Sequence, residues 1–305
     1  METLLTNIIL SNKERTNNGQ VATYIPELQK AHKNDLGICI IDKDNNIYCA
    51  GDYNKKFTIQ SISKTIVLAM VLMDNDLDYV FSKVGMEPSG DPFNSIMKLE
   101  TNDTKKPCNP MINAGAIATT ALIKGKDLKE KEERMLSFFR KLAKNDNLQI
   151  NDSVYMSEKL TGDRNRAMGY LLKNDGFIEG DVEEVLDLYF KQCSIEVDCM
   201  DLARIGMLFA NYGVDIETGE RVIDRDISRM VKTFMVTCGM YDASGEFALR
   251  VGIPAKSGVG GGIMASVPKR MGIGIFGPAL DKKGNSIGGL AILNKLSKDL
   301  DLNIF

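Results

Sequence analysis

From Ile66 to Met73 the chain reads Ile-Val-Leu-Ala-Met-Val-Leu-Met, with no polar position on any side. A helix that is apolar all round belongs inside a domain, so Ser61 to Leu77 is predicted as a central helix. Ahead of it, "LGICIIDKDNNIYCAGD" reads as a β-hairpin, with runs Ile38–Asp42 and Asn46–Ala50 flanking the turn formers Asp44 and Asn45. "NGQVATYIPELQKAHKNDLG" predicts a short helix after Pro26 that stops near Gly37. From about residue 75 to 235 the pattern is helical. "NAGAIATTALIKG" has small residues for close packing, while "KGKDLKEKEERMLSFFRKLAKND" and "DVEEVLDLYFKQCS" are amphipathic. "DCMDLARIGMLFANYG" runs from a capping Asp198 to Gly213. After Glu246 come three glycine-punctuated apolar runs, "EFALRVGIPAKSG", "GGIMASVPKRMGIGIFGP" and "GNSIGGLAIL". They predict successive hairpin strands, with "NKLSKDLDLNIF" as a closing helix. The early hairpin and the late strands are each too short for a sheet of their own. One antiparallel sheet built from both ends of the chain, flanked by helices and carrying an inserted all-helical lobe, is the economical architecture. On this reading the chain is one domain, 1–305, with a sheet lobe of about 1–60 plus 240–305 and a helical lobe of about 61–239.

Composition narrows the function classes. Hydrophobic residues make up 44% of the 305, enough for a large core. Lys plus Arg number 38 against 41 Asp plus Glu, so no basic surface for nucleic acid or an anionic membrane is expected. The cysteines at 39, 49, 108, 193, 199 and 238 include no C-x-x-C pair, and the single histidine, His32, lies far from them in sequence. A metal site is therefore not expected, nor an organic cofactor. The even cysteine count permits disulfides, but a large core does not need them, so buried free thiols are expected. His32 sits in "ELQKAHKNDLG" and reads as a solvent-facing residue, leaving any hydrolase here without a histidine base. "METLLTNIILSNKER" lacks a basic n-region and an h-region, and Thr65 to Met73 is too short to span a bilayer, which gives the expectation of a soluble, cytoplasmic protein.

The polar groups that open the central helix carry the candidate chemistry. Ser61 and Lys64 are three residues apart, a spacing that puts Cβ atoms about 5–6 Å apart on one helix face. A serine hydroxyl becomes a nucleophile when a base takes its proton. A lysine with a reference pKa near 10.4 serves only if neutral, and poising it near 7 takes about 4–5 kcal/mol. Burial in the apolar run supplies such a shift. A helix start adds unpaired N–H groups beside a developing oxyanion. Ser63, adjacent to Lys64, faces elsewhere and is expected to be structural. A second element, "PAKSGVGGG", brings Lys256 and a glycine-rich bend after a predicted strand. Ser-x-x-Lys followed late in the chain by Lys-Ser-Gly resembles the motif pair of penicillin-binding proteins and class A β-lactamases. Their third element, Ser-x-Asn or Tyr-x-Asn, occurs nowhere in this chain.

"YIPEL", "QSISK", "NPMINAGAI", "SEKLTGDRNRAMGYLL", "YFKQCSIE", "CGMYDASGEFA" and "PAKSGVGGGI" run in order from about Gln20 to about Leu290. Together they resemble the serine-dependent glutaminase family, in a compact bacterial-type form. The resemblance implies a β-lactamase/DD-peptidase-like α/β (α+β) fold and hydrolysis of L-glutamine to L-glutamate and ammonia, in a homodimer or homotetramer. It implies Ser61 as nucleophile and Lys64 as its activating base. Tyr24, Asn113, Glu158, Asn165, Tyr189 and Tyr241 match the family's substrate-binding positions, with Tyr189 and Tyr241 also catalytic. Val259 matches the residue whose backbone N–H joins that of Ser61 in the oxyanion hole. The chemistry is coherent: glutamine's ammonium suits the Glu158 carboxylate, and its α-carboxylate suits amide donors such as Asn113 and Asn165. Two alternatives stay open on the residues alone. One is a penicillin-recognising serine hydrolase or transpeptidase, disfavoured by the absent third motif; the other is a non-catalytic ligand-binding member of the fold.

Overall fold

The computed structural model describes residues 1–101 and 103–305. Its helices begin with α1 (Glu2–Asn12), α2 (Ser63–Asp74), α3 (Leu77–Lys83), α4 (Met97–Thr101), α5 (Asn113–Ala121) and α6 (Leu128–Ala143). They continue with α7 (Asp152–Thr161), α8 (Asp163–Asn174), α9 (Val182–Cys193), α10 (Cys199–Ala210), α11 (Arg225–Cys238), α12 (Ser244–Arg250) and α13 (Ile287–Asp299). The strands are β1 (Gly37–Asp42), β2 (Ile47–Gly51), β3 (Phe57–Thr58), β4 (Glu196–Val197), β5 (Ala255–Ser257), β6 (Gly262–Val267) and β7 (Met271–Phe276). No helix among the described residues is long and apolar enough to cross a membrane.

The main sheet has the order β2-β1-β7-β6-β5, antiparallel throughout. It joins the early hairpin to the late strands, as the sequence pattern predicts. The β1–β2 turn is fixed by the Asp42 carboxylate, which accepts from the backbone amides of Asp44 and Asn46 while Asn45 takes a left-handed φ of 62°. β1, β6 and β7 are buried along almost their whole length because both faces are covered. α1 and α13 pack on one face around Leu5, Ile8, Ile38, Ile273 and Leu293. α10 lies on the other. Its close approach depends on glycine: a Cβ on Gly272 would sit 2.0 Å from the Met207 nitrogen, and one on Gly274 would sit 2.0 Å from the Cys199 oxygen. β3 and β4 form a separate two-stranded pair.

α2 is buried at every position from Ser63 to Leu72, as an all-apolar helix must be. It forms the centre of the larger core with α6, α10 and α11. The predicted helix over Ser61 to Leu77 is divided in the structure. Gln60–Ile62 is a 3₁₀ turn, α2 ends at Asp74, and Asp76 caps a new helix through its side chain. The segment after Pro26 is a 3₁₀ turn over Pro26–Lys30, short of Gly37.

Three expectations are corrected. "GNSIGGLAIL" is not a strand but the start of α13, capped by the Ser286 hydroxyl on the Gly289 amide. Gly288, Gly289, Ile292, Leu293 and Leu296 are its buried positions, a helical period that the glycines mask. The glycines let it seat on Leu36 and Ile263. "EFALRVG" is largely α12, and the strand that follows is only Ala255–Ser257. The cysteines are not all free. Cys39 and Cys49 stand directly opposite in the β1–β2 register, with Cα atoms 4.2 Å apart, and are joined as a disulfide. Directly facing strand positions bring two Cβ atoms close enough for this without backbone movement. Cys193, Cys199 and Cys238 are buried thiols.

Replacing Gly272 by Ala is expected to destabilise the fold by about 3 kcal/mol, read as a lower urea midpoint, because the clash is with backbone and cannot be relieved by a side-chain rotation.

Candidate active site

The first segment of the site is the turn ahead of α2. Gln60 has a left-handed φ of 49°, costly for a residue with a Cβ, and is followed directly by Ser61. The glycine loop after β5 is pressed against this turn. A Cβ on Gly258 would lie 2.9 Å from the Ile59 oxygen, and one on Gly260 would lie 2.9 Å from the Thr58 oxygen. Only glycine allows two backbones to run this close. The loop closes on itself through Gly258 N–H to Gly262 O and Gly261 N–H to Gly258 O, which holds Val259 at its tip.

Tyr241 is the second segment, in the turn Tyr241–Ala243 with φ 55°. Its hydroxyl is buried, beside the Ser61 side chain and the Val259 amide. Its ring packs on Phe93 at 4.7 Å between centroids, and Lys256 Nζ lies 4.5 Å from the ring centroid. Burial drives the Tyr241 hydroxyl pKa upward, while Ser61 and the Val259 amide favour its anion. Lys256 is wholly buried, donates to the Ser257 oxygen at 2.7 Å, and has its pKa pushed far down by burial and then by Lys64.

Lys64 points from the first turn of α2 to the start of α5. Its Nζ donates to Asn113 Oδ1 at 2.7 Å and to the Met111 oxygen at 3.2 Å. The spacing of Ser61 and Lys64 permits a direct hydrogen bond, but the amine is held instead by these two neutral acceptors. Burial lowers its pKa to about 8, against the pull of the Cys193 and Glu158 charges. Asn113 passes the network on: its Nδ2 donates to Asn165 Oδ1 at 3.1 Å, and Asn165 Nδ2 donates to the Tyr24 hydroxyl at 3.1 Å. Asn113 is set by the close seat of α5, since a Cβ on Gly115 would fall 1.9 Å from the Asn109 oxygen.

Glu158, on α7, is 3% exposed, and among the described residues no lysine or arginine forms a salt bridge with it. Burial raises its pKa to about 7, opposed by a hydrogen bond from the Gln60 side chain and by Lys64. Tyr189, on α9, is buried against the Cys193 thiol, with Tyr24 and Glu158 close by. Tyr24 alone of the predicted residues is substantially exposed, at 37%. A cleft of about 550 Å³, lined by Tyr24, Phe93, Val259, Leu280 and Gly284 among others, leads from solvent to Tyr24 and Val259.

The predicted residues Tyr24, Ser61, Lys64, Asn113, Glu158, Asn165, Tyr189, Tyr241 and Val259 are thus drawn together from both ends and the middle of the chain. His32 is exposed in a loop. Sequence reasoning missed Gln60, Phe93 and Cys193. Cys193 had a usable signal, standing one helical turn after Tyr189 on the same face of α9. Phe93 had none, since only folding brings its loop over Tyr241.

An antiparallel sheet built from both ends of the chain, with helices on its faces and an inserted helical lobe, is the β-lactamase-like fold. The Glutaminase family profile matches residues 19–305. A glutaminase of Clostridioides difficile strain 630 is 76% identical over 304 residues, covering 100% of this chain and 98% of that protein. A Bacillus glutaminase crystal structure superposes with a TM-score of 0.93 at 41% identity, over 100% of this chain and 99% of the other. The probable glutaminase from Bacillus subtilis, solved in complex with 6-diazo-5-oxo-L-norleucine, gives a TM-score of 0.92 at 40% identity, over 100% and 97%. The chain belongs to the glutaminase family.

The lowered pKa values of Lys64, Lys232 and Lys256 have a consequence for stability. Near pH 8 to 9 the unfolded chain keeps these protons while the folded chain has released them, so stability rises with pH. The raised thiols of Cys193, Cys199 and Cys238 act in the opposite sense, chiefly above that window. The urea midpoint is therefore expected to be higher at about pH 8.5 than at about pH 7.5. A flat or falling midpoint would mean that these amines stay charged in the fold.

Proposed function

We propose that this protein hydrolyses L-glutamine to L-glutamate and ammonia through an acyl-enzyme on Ser61. The observation that carries this reading is the convergence of Ser61, Tyr241 and the Val259 amide near a buried carboxyl at Glu158 that has no salt-bridge partner among the described residues. Family membership supports it, as does the glutamine-like ligand in the Bacillus subtilis relative.

In this mechanism the substrate ammonium binds the Glu158 carboxylate, replacing the water that a buried charge lacks. Pairing with a cation returns Glu158 to its ionised form. The α-carboxylate is received by the amide and hydroxyl donors of Asn113, Asn165 and Tyr24. Neutral Lys64 takes the Ser61 proton as Oγ attacks the γ-amide carbon. The oxyanion is received by the Ser61 and Val259 amides; the loss of one such donor typically costs on the order of 10²–10³ in rate. Tyr241 protonates the departing nitrogen, the carbon–nitrogen bond breaks and ammonia leaves. Tyr241 recovers its proton from the Lys64 ammonium, restoring the neutral amine. Water then cleaves the ester by the same route in reverse. Tyr189 is the second tyrosine wall; burial first, then the neighbouring Cys193, Tyr24 and Glu158, keep it protonated. No cofactor enters this scheme. A soluble homo-oligomer remains the proposed working form.

The test is ammonia release from L-glutamine by the purified protein beside Ser61→Ala, with L-asparagine and a penicillin as alternative substrates. The parent is expected to turn over glutamine, and the variant to lose at least about 10³-fold in kcat. Retained turnover in the variant overturns the nucleophile assignment. No turnover in the parent overturns the function.

The pH profile follows from the two buried groups. Glu158 must be ionised and Lys64 neutral, so kcat/KM is expected to rise from about pH 6 to about pH 9, through the region of their pKa values near 7 and 8. Glu158→Gln is expected to raise KM by about 10- to 100-fold with a smaller effect on kcat. An unchanged KM would remove Glu158 from ammonium recognition.

A further inference from the structure

Ser63, the second serine of the "QSISK" segment, is fully buried at the first position of α2, yet it does not cap that helix. A capping serine accepts from a backbone amide ahead of it. Ser63 Oγ instead donates backwards, to the Gln60 oxygen at 2.7 Å. It is itself held from a distant helix. Gln192 Nε2, on α9, donates to Ser63 Oγ at 3.1 Å. Gln192 is wholly buried, and its Oε1 lies 3.1 Å from Thr120 Oγ1 on α5. Thr120 Oγ1 is also 2.8 Å from the Ala116 oxygen, so its single proton is shared between two acceptors.

The Gln60 oxygen belongs to the peptide that ends in the Ser61 N–H. A trans peptide is planar, with its C=O and N–H pointing in opposite directions. Holding the Gln60 oxygen therefore sets the direction of the Ser61 N–H. This peptide needs holding, because Gln60 is a non-glycine residue at φ 49°. The same chain of bonds links α5, which carries Asn113, with α9, which carries Tyr189, and with the nucleophile turn.

We propose that Ser63 and Gln192 are positioning residues for the oxyanion-hole amide of Ser61, with Thr120 anchoring Gln192. This rests on the acyl-transfer reading above and goes beyond it, since neither side chain touches substrate in that mechanism. Buried polar networks of this kind are worth most when every member is satisfied. Removing the Ser63 hydroxyl leaves the Gln60 oxygen with the Ser63 backbone N–H as its remaining named donor, which loosens the peptide, and also strands the Gln192 amide.

The experiment compares the parent with Ser63→Ala, Gln192→Leu and Ser63→Thr. Ser63→Ala is expected to lower kcat about 10- to 100-fold with KM changed less than about 2-fold, below the cost of losing the donor outright. Gln192→Leu is expected to give a smaller loss of the same kind, and Ser63→Thr, which keeps the hydroxyl, to recover most of the activity. The second readout does not need turnover: the Ser61 backbone amide resonance of the isotopically labelled protein. It is expected to shift and broaden in Ser63→Ala and to return towards its parent position in Ser63→Thr. An active parent whose Ser63→Ala variant keeps kcat overturns the proposal. So does a Ser61 resonance that does not move, even if the parent proves inactive on glutamine. An inactive parent with a displaced Ser61 resonance overturns the reaction while leaving the peptide-orienting role supported.

Discussion

The site is organised around an amine kept away from water. Lys64 could have been given a carboxylate partner in contact, which would have fixed its charge. Its acceptors are a side-chain amide oxygen and a backbone carbonyl, both neutral. The amine is therefore satisfied without being locked into the ammonium form. Glu158 is close enough to influence it but does not pair with it, and each group moves the other's pKa. Their protons titrate as a coupled set, in a range where small changes in surroundings shift the population. A bound cation or a developing oxyanion is such a change. Lys256 is a second buried amine, its pKa pushed down by burial first and then by Lys64.

That constraint explains the scaffold. An amine can be held dry only by a helix with no wet face, and α2 is such a helix. Its apolar residues are in contact with α6, α10 and α11, so its first turn cannot tilt to let water in. The sheet supplies the opposite wall. β5 and its glycine loop bring their backbone close against the turn that carries Ser61. The helices that carry Asn113, Glu158 and Tyr189 close the remaining sides. Phe93 packs at a tilt against Tyr241 at the mouth, where the cleft begins.

Much of this was legible in the residues. The hairpin, the central apolar helix and the joining of both chain ends in one sheet follow from periodicity alone. The family was legible only jointly: Glu158 or Tyr189 alone reads as ordinary helix surface or core, and it is the ordered motifs together that point to glutaminases. What escaped reading has physical causes. α13 was taken for strand because Gly288 and Gly289 occupy its buried face, where a helical pattern would show large apolar side chains. α1 went unassigned, although Leu5, Ile8, Ile9 and Asn12 mark its buried stripe. The Cys39–Cys49 bond depends on strand register, which spacing does not fix. The partners of Ser63 were invisible because Gln192 and Thr120 become its neighbours only when three helices pack.

The seam between the glycine loop and the nucleophile turn also bears on how the protein is made. Thr58 to Ser61 is near the beginning of the chain, whereas Gly258 to Gly261 and the strands β6 and β7 that support it come near the end. β1 cannot find its partner β7 until the last fifth of the polypeptide is available. Contacts of such sequence separation form late, because loop-closure entropy is met before they stabilise anything. A chain emerging from the ribosome therefore carries Ser61 and Lys64 long before the glycine loop that packs against their turn has been made, and the pocket is completed only when the two ends meet.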